Sequence, residues 1–172
     1  MTALSFMHLL ILAVFMGFLV AAAIGDFKNY RIPNTYCLAL LALYPLFAYS
    51  APYPVQPIAS IGISAVVLGL SFVAFARGLV GGGDAKLISA AALYAGPGLI
   101  FEFLMVTAIA GAFVALFLIM RPVRFAIAVA ADQWGQHALR NALLAQVIPY
   151  AMAIAAGGIY LTLRLAVLAG AA

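Results

Sequence analysis

Charge is what this chain has least of. Its 172 residues include eight Lys or Arg and only four Asp or Glu, so 7% of positions are charged, against about 25% in a water-soluble domain. So few charges cannot cover a surface that faces water. With 69% of the chain hydrophobic, lipid is the expected solvent. Helices are the expected spanning element, because each satisfies its own backbone polar groups. Cysteine is nearly absent: Cys37 stands alone, which excludes an internal disulfide and a cysteine-built zinc cluster. The formal charge of +4 is spread too thinly to point to nucleic acid. No Lys or Arg precedes the first apolar run, and no small-residue cleavage site bounded by polar residues follows it. That run is therefore expected to be a retained transmembrane helix and not a signal peptide.

What the chain has instead is apolar runs. A spanning helix takes about 20 apolar residues, and residues 4–24 meet that length without a charge. Gly25-Asp26-Phe27-Lys28-Asn29-Tyr30-Arg31 is the first polar break. Ile32-Pro33-Asn34 then restarts a helix, since proline suits a first-turn position. Residues 35–49 form a shorter second run, 50–57 a proline-rich turn, and 58–76 a third run. Residues 85–95 are apolar but cover only about 16 Å as helix, roughly half the hydrocarbon thickness, before Gly96-Pro97-Gly98 breaks them. Residues 99–120 and 147–168 are the last two spans. Between them, residues 121–146 mix Arg121, Arg124, Asp132, Trp134, His137 and Arg140 with apolar residues, which fits a helix lying in the interface. The expectation is all-α: a polytopic membrane helix bundle, one domain over residues 1–172, with six transmembrane segments and a short fourth helix.

Basic residues set the orientation. Taking the loops alternately, Lys28, Arg31, Arg77, Lys86, Arg121, Arg124 and Arg140 fall on one side, and the turns at 52–57 and 96–98 carry none. The first side is then cytoplasmic and the N-terminus faces out. Arg164 is the exception, expected to snorkel to the outer interface.

Of the four acids, Glu102 falls on the outer side and Asp132 in the interfacial stretch. Asp26 ends the first span and Asp84 begins the fourth, so both lie at the cytoplasmic face although they are 58 residues apart in the chain. Ionisable groups at membrane depth are costly and are functional candidates by default. Two carboxylates that meet in a poorly hydrated site hold one proton between them. Such a pair can take a proton from water and give one to a leaving amine, which is what metal-free peptide hydrolysis needs. Gly81, Gly82 and Gly83 immediately precede Asp84; without side chains and free to take positive φ, they would let a peptide lie close. The competing structural account makes Asp84 a helix N-cap and Asp26 a helix-end residue. Lys28 and Lys86 each follow an aspartate by two residues. They are interfacial anchors on one account, and on the other they tune the pair or hold a substrate carboxylate. His8 and His137 read as structural, and Trp134 as an interface anchor. No metal or cofactor is called for.

These residues resemble a known family. Gly81-Gly82-Gly83-Asp84-Ala85-Lys86-Leu87 is similar to the GxGD motif of the type IV prepilin peptidases. Asp26-Phe27-Lys28-Asn29-Tyr30-Arg31-Ile32-Pro33-Asn34 resembles their first-aspartate motif, and Ile148-Pro149-Tyr150 through Gly157 resembles their closing segment. The resemblance implies an aspartic endopeptidase of the bacterial inner membrane, with Asp26 and Asp84 as catalytic pair. Such enzymes remove the leader of prepilins and pilin-like membrane proteins on the cytoplasmic side. It also suggests Lys28, Arg31 or Lys86 as partners for a substrate glutamate that follows the cut. Bifunctional members carry paired CxxC motifs and methylate the new N-terminus; with one cysteine, methyl transfer is not expected here. The compact size resembles the short members that serve Flp/Tad pili. Three alternatives stand beside this: another GxGD intramembrane protease, a small proton-coupled transporter, and a non-catalytic component of a secretion system. A transporter would show paired broken helices in repeated halves, whereas only one short helix is found.

Overall fold

A computed structural model describes residues 3–29, 32–134 and 150–171. Among these, every regular element is a helix. The first apolar run becomes α1 (Ala3–Asn29), which does not stop at the polar break: helix continues through Asp26 to Asn29, so Asp26 lies in its last turn. The following helix, α2 (Asn34–Ser50), has Pro33 as its N-cap residue and not in its first turn. Third in order, α3 (Pro57–Ala76) starts with a proline at its first position, where the missing N–H is no loss. The longest is α4 (Gly82–Ile119), followed by α5 (Arg121–Gln133) and α6 (Ala151–Ala171).

Four of these are long and apolar enough to cross a membrane: α1, α3, α4 and α6. Most of their outward residues are apolar, with Ile58 88% and Phe101 81% exposed, as expected where lipid is the surrounding medium. The protein is an all-α membrane helix bundle. The expected interfacial stretch is described as far as Trp134, as the short helix α5, whose face includes exposed Phe125 and Val129.

α4 is two limbs. Gly96 sits at φ 55° and ψ −171° in its middle, with Pro97 next, so the ladder breaks there. In a straight helix, Asp84 and Ala115 would lie about 46 Å apart at 1.5 Å per residue. They line one groove, so the chain folds back at Gly96. The first limb starts at Gly82, a turn earlier than the apolar run alone suggests, and is about 21 Å long. Its far end is packed against protein: Gly96 is buried, and a Cβ there would sit 3.0 Å from the Ser60 hydroxyl of α3.

The first limb is the centre of the core. Tyr94 stacks near Phe15 of α1 (centroids 4.3 Å apart) and Phe47 of α2 (4.9 Å), and its hydroxyl donates to the Leu40 carbonyl at 2.6 Å. α6 lies between α1 and the second limb of α4, and glycines let it approach. A Cβ at Gly157 would overlap the Thr107 side chain, and one at Gly158 would overlap Leu19. Small residues at helix contacts are the usual means of close packing in lipid.

Candidate active site

Asp26 is 7% exposed, on the inward face of the last turn of α1. Its Oδ2 accepts a hydrogen bond from the backbone N–H of Ala151 at 3.3 Å. That N–H opens α6, where the first turn has donors without intrahelical partners. Tyr150, the last residue of the Ile148-Pro149-Tyr150 stretch, accepts the N–H groups of Ala153 and Ile154 and so begins the helix. Ile148 and Pro149 lie outside the described residues. The Ala151 donor was not foreseen from sequence. The only hint is that an X-Pro pair favours a helix start just after it.

Asp84 is 8% exposed. It is not the N-cap of α4: Gly81 holds that place, and Asp84 is the third residue inside the helix. From there its carboxylate reaches back to the backbone N–H of Gly81, the acidic half of a capping box. Its Oδ1 has no hydrogen-bond partner although it is buried. Buried polar atoms are nearly always paired, so an unpaired carboxylate oxygen marks a place left for something else.

The three glycines act through space and not through φ. Gly81 has φ −70°, and the positive-φ glycines among the described residues are Gly78 and Gly96. What each position excludes is a side chain. A Cβ at Gly81 would lie 2.7 Å from Asp84 Oδ2, one at Gly82 would lie 3.3 Å from the Phe75 ring, and one at Gly83 would lie 3.1 Å from Ile32 Cβ. The glycine run thus lets the Asp84 carboxylate and the Ile32 side chain each come close to its backbone.

The result is one cavity of about 510 Å³, lined by Asp26, Ile32, Pro33, Asn34, Gly81, Gly82, Gly83 and Asp84. Both aspartates face it, close enough for the Asp26 carboxylate to act electrostatically on that of Asp84. Lys28 and Lys86 are not among the residues that line it. Lys86 is exposed, donates to Asn34 Oδ1 at 3.1 Å, and lines a neighbouring pocket with Cys37; Asn34 borders both spaces. Lys28 is exposed on the last turn of α1. Arg31 lies outside the described residues. Among the described residues no three His, Cys, Asp or Glu side chains group as a metal site.

The remaining polar residues are placed elsewhere. His8 is fully buried, with Nδ1 3.0 Å from the Ser50 hydroxyl and Nε2 2.9 Å from the Tyr53 hydroxyl; it ties α1 to the α2–α3 turn. Burial pushes the Tyr53 phenol above its ordinary range, so it stays neutral in that contact. Glu102 accepts from the Tyr160 hydroxyl at 2.6 Å and pairs with Arg164 at 3.3 Å. Arg164 therefore has a partner on the second limb of α4, which the snorkelling expectation did not provide. His137 lies outside the described residues.

Compared with known protein families, the chain matches the type IV leader peptidase family over residues 13–116, a span that takes in every residue lining the two-aspartate cavity. None of the curated proteins and none of the solved structures compared with the chain matches it.

Proposed function

The chain belongs to the type IV leader peptidase family, and from that membership we propose that it is an aspartic endopeptidase with Asp26 and Asp84 as catalytic pair. One observation carries this: the two acids, from distant stretches of the chain, are both buried and line one cavity. Carboxylates at close quarters share a proton. The ionised one takes a proton from water as the water oxygen bonds to the scissile carbonyl carbon. The protonated one gives its proton to the amide nitrogen as the C–N bond breaks. The products are a new carboxyl terminus and a new amine, and the pair is left with one proton, as at the start.

The substrates are prepilins of the Flp type and pilin-like proteins, each a basic leader joined to an apolar helix. On this reading α2 and each limb of α4 count as membrane segments, and the positive-inside rule puts the N-terminus outside. Asp26 and Asp84 then lie at the cytoplasmic face of the bacterial inner membrane, together with most of the Lys and Arg. Lys86 is the base we favour to meet a substrate glutamate, because Asn34, which lines the cavity, holds it. Lys28 and Arg31 are the alternatives. Reversing the charge of the substrate glutamate and rescuing it by reversing one of these bases tests the assignment; no rescue with any of them removes it.

The experiment for the function is co-expression with candidate prepilins, followed by N-terminal sequencing of the mature pilin. Leader removal that depends on this chain is expected. If no prepilin is shortened while the protein is inserted, the proposal fails and a transporter or assembly role takes its place.

A further inference from the structure

Eight residues line the two-aspartate cavity, and three of them carry polar side chains: Asp26, Asp84 and Asn34. The third has no part in the hydrolysis described above. Asn34 is the first residue of α2 and is exposed. Lys86 Nζ donates to its Oδ1 at 3.1 Å. That contact decides which way round the amide lies. An ammonium group donates and never accepts, so the atom it meets must be the oxygen of Asn34. With the oxygen engaged, what the Asn34 side chain has left to offer the cavity is its NH2 group.

Peptide hydrolysis has a need that the aspartates leave open. As water bonds to the scissile carbonyl carbon, the carbonyl oxygen takes up negative charge. The proton held by the pair is bound for the amide nitrogen, and the other carboxylate is an acceptor. A preorganised donor aimed at that oxygen stabilises the charge. Among the described side chains lining the cavity, Asn34 is the one that can donate without giving up a proton. Lys86 strengthens it. A cation on the amide oxygen draws electron density away from the N–H groups, and hydrogen bonds in a chain reinforce one another.

Resting on the peptidase function above, we propose that Asn34 is a catalytic residue whose side-chain N–H donates to the scissile carbonyl oxygen as that oxygen becomes an oxyanion. Lys86 is a positioning residue: it holds the amide oxygen and so keeps the N–H groups for the substrate. The Asn34 contact tightens as charge develops, so it acts on kcat. Holding Asn34 takes one N–H of the Lys86 ammonium and leaves the others for a substrate glutamate.

The test is steady-state cleavage of a purified prepilin in detergent, each variant measured at the optimum of its own pH profile. Asn34→Leu removes donor and acceptor together. Asn34→Asp removes the N–H groups but keeps an acceptor for Lys86, and an acid in the first turn of α2 is favourable, so this variant is expected to fold even where Asn34→Leu does not. Losing one such donor from a dry site costs about a hundred- to a thousandfold in kcat. Water reaches Asn34, so the expected loss is about ten- to a hundredfold in both variants, with KM within about threefold. Lys86→Met is measured on a prepilin whose glutamate is replaced by glutamine, which takes that contact out of play. It should lose about two- to tenfold in kcat, and the double variant Asn34→Leu/Lys86→Met should fall no further than Asn34→Leu. Wild-type kcat in either Asn34 variant overturns the inference and leaves the carbonyl oxygen to the main-chain N–H groups that open α4. A rise in KM alone overturns it as well, because it marks a contact made equally before and during the reaction. A double variant slower than Asn34→Leu by the full Lys86→Met factor overturns the positioning role. Failure of the wild-type protein to cut any prepilin is a different result, and it overturns the peptidase proposal together with this one.

Discussion

The glycine run before Asp84 yields a graded prediction, because each of its members faces a different neighbour. Gly81 has φ −70° and ψ 145°, a conformation open to alanine, so backbone strain does not enter. The obstacle is the carboxylate. A Cβ at Gly81 falls 2.7 Å from Asp84 Oδ2, where ordinary contact begins at 3.4 Å, so Asp84 must retreat by about 0.7 Å. A displacement near 1 Å of a reacting group can cost about a hundredfold in rate, so Gly81→Ala should lose about ten- to a hundredfold in leader removal. In Gly83→Ala the new Cβ meets Ile32 Cβ at 3.1 Å, an atom fixed to the backbone. The Ile32-Pro33-Asn34 segment must shift by a few tenths of an ångström, for an expected loss of about tenfold. In Gly82→Ala the nearest atom is the edge of the Phe75 ring at 3.3 Å, which can tilt, and activity should stay within about threefold. Thermal melts in detergent should show all three folded, with Gly81→Ala losing about 1 kcal/mol from the poorer cap. The assay is cleavage of a single prepilin at matched amounts of enzyme. Wild-type activity in Gly81→Ala, or Gly82→Ala as the worst of the three, would refute the close-packing account of the run.

Other outcomes follow from the same packing. Gly157→Ala would press on the Thr107 side chain and lie 3.2 Å from the Phe103 carbonyl oxygen, so it should destabilise by about 1–3 kcal/mol. Gly158→Ala meets only the tip of Leu19 and should cost less; the two melting temperatures decide. Glu102→Gln and Arg164→Gln each leave one member of a membrane ion pair alone, so each should lower the melting temperature, and the double variant should recover part of the loss. Equal melting temperatures for the four proteins would show the pair to be inert.

What the sequence allowed and what it hid divide along a physical line. Run lengths and the Gly96-Pro97-Gly98 break are local properties, so the helical bundle was legible, and with it the meeting of Asp26 and Asp84, each near a helix end, at one cavity. The pairings across helices were not. Nothing near residue 164 says that Glu102 will face it, and nothing near Asp26 names Ala151 as its donor, because both contacts are made by packing of distant segments. The glycines show the limit most plainly. Three in a row suggest freedom in φ, whereas the fold uses their missing side chains, and which neighbour each one admits depends on where Phe75 and Ile32 come to rest. Asp84 as third helical residue and not cap has the same origin: the helix starts on the glycines once Gly81 can be approached by the carboxylate.

The central claim is that Asp26 and Asp84 act as one unit. The most direct measurement is the rate of leader removal by Asp26→Asn, Asp84→Asn and the double variant, each shown to be inserted and folded. Members of one catalytic unit are grossly non-additive. Each single variant is therefore expected to fall at least about a thousandfold, and the double variant to fall no further. Substantial cleavage by either single variant, or a double variant slower than both by the product of two partial losses, would contradict it.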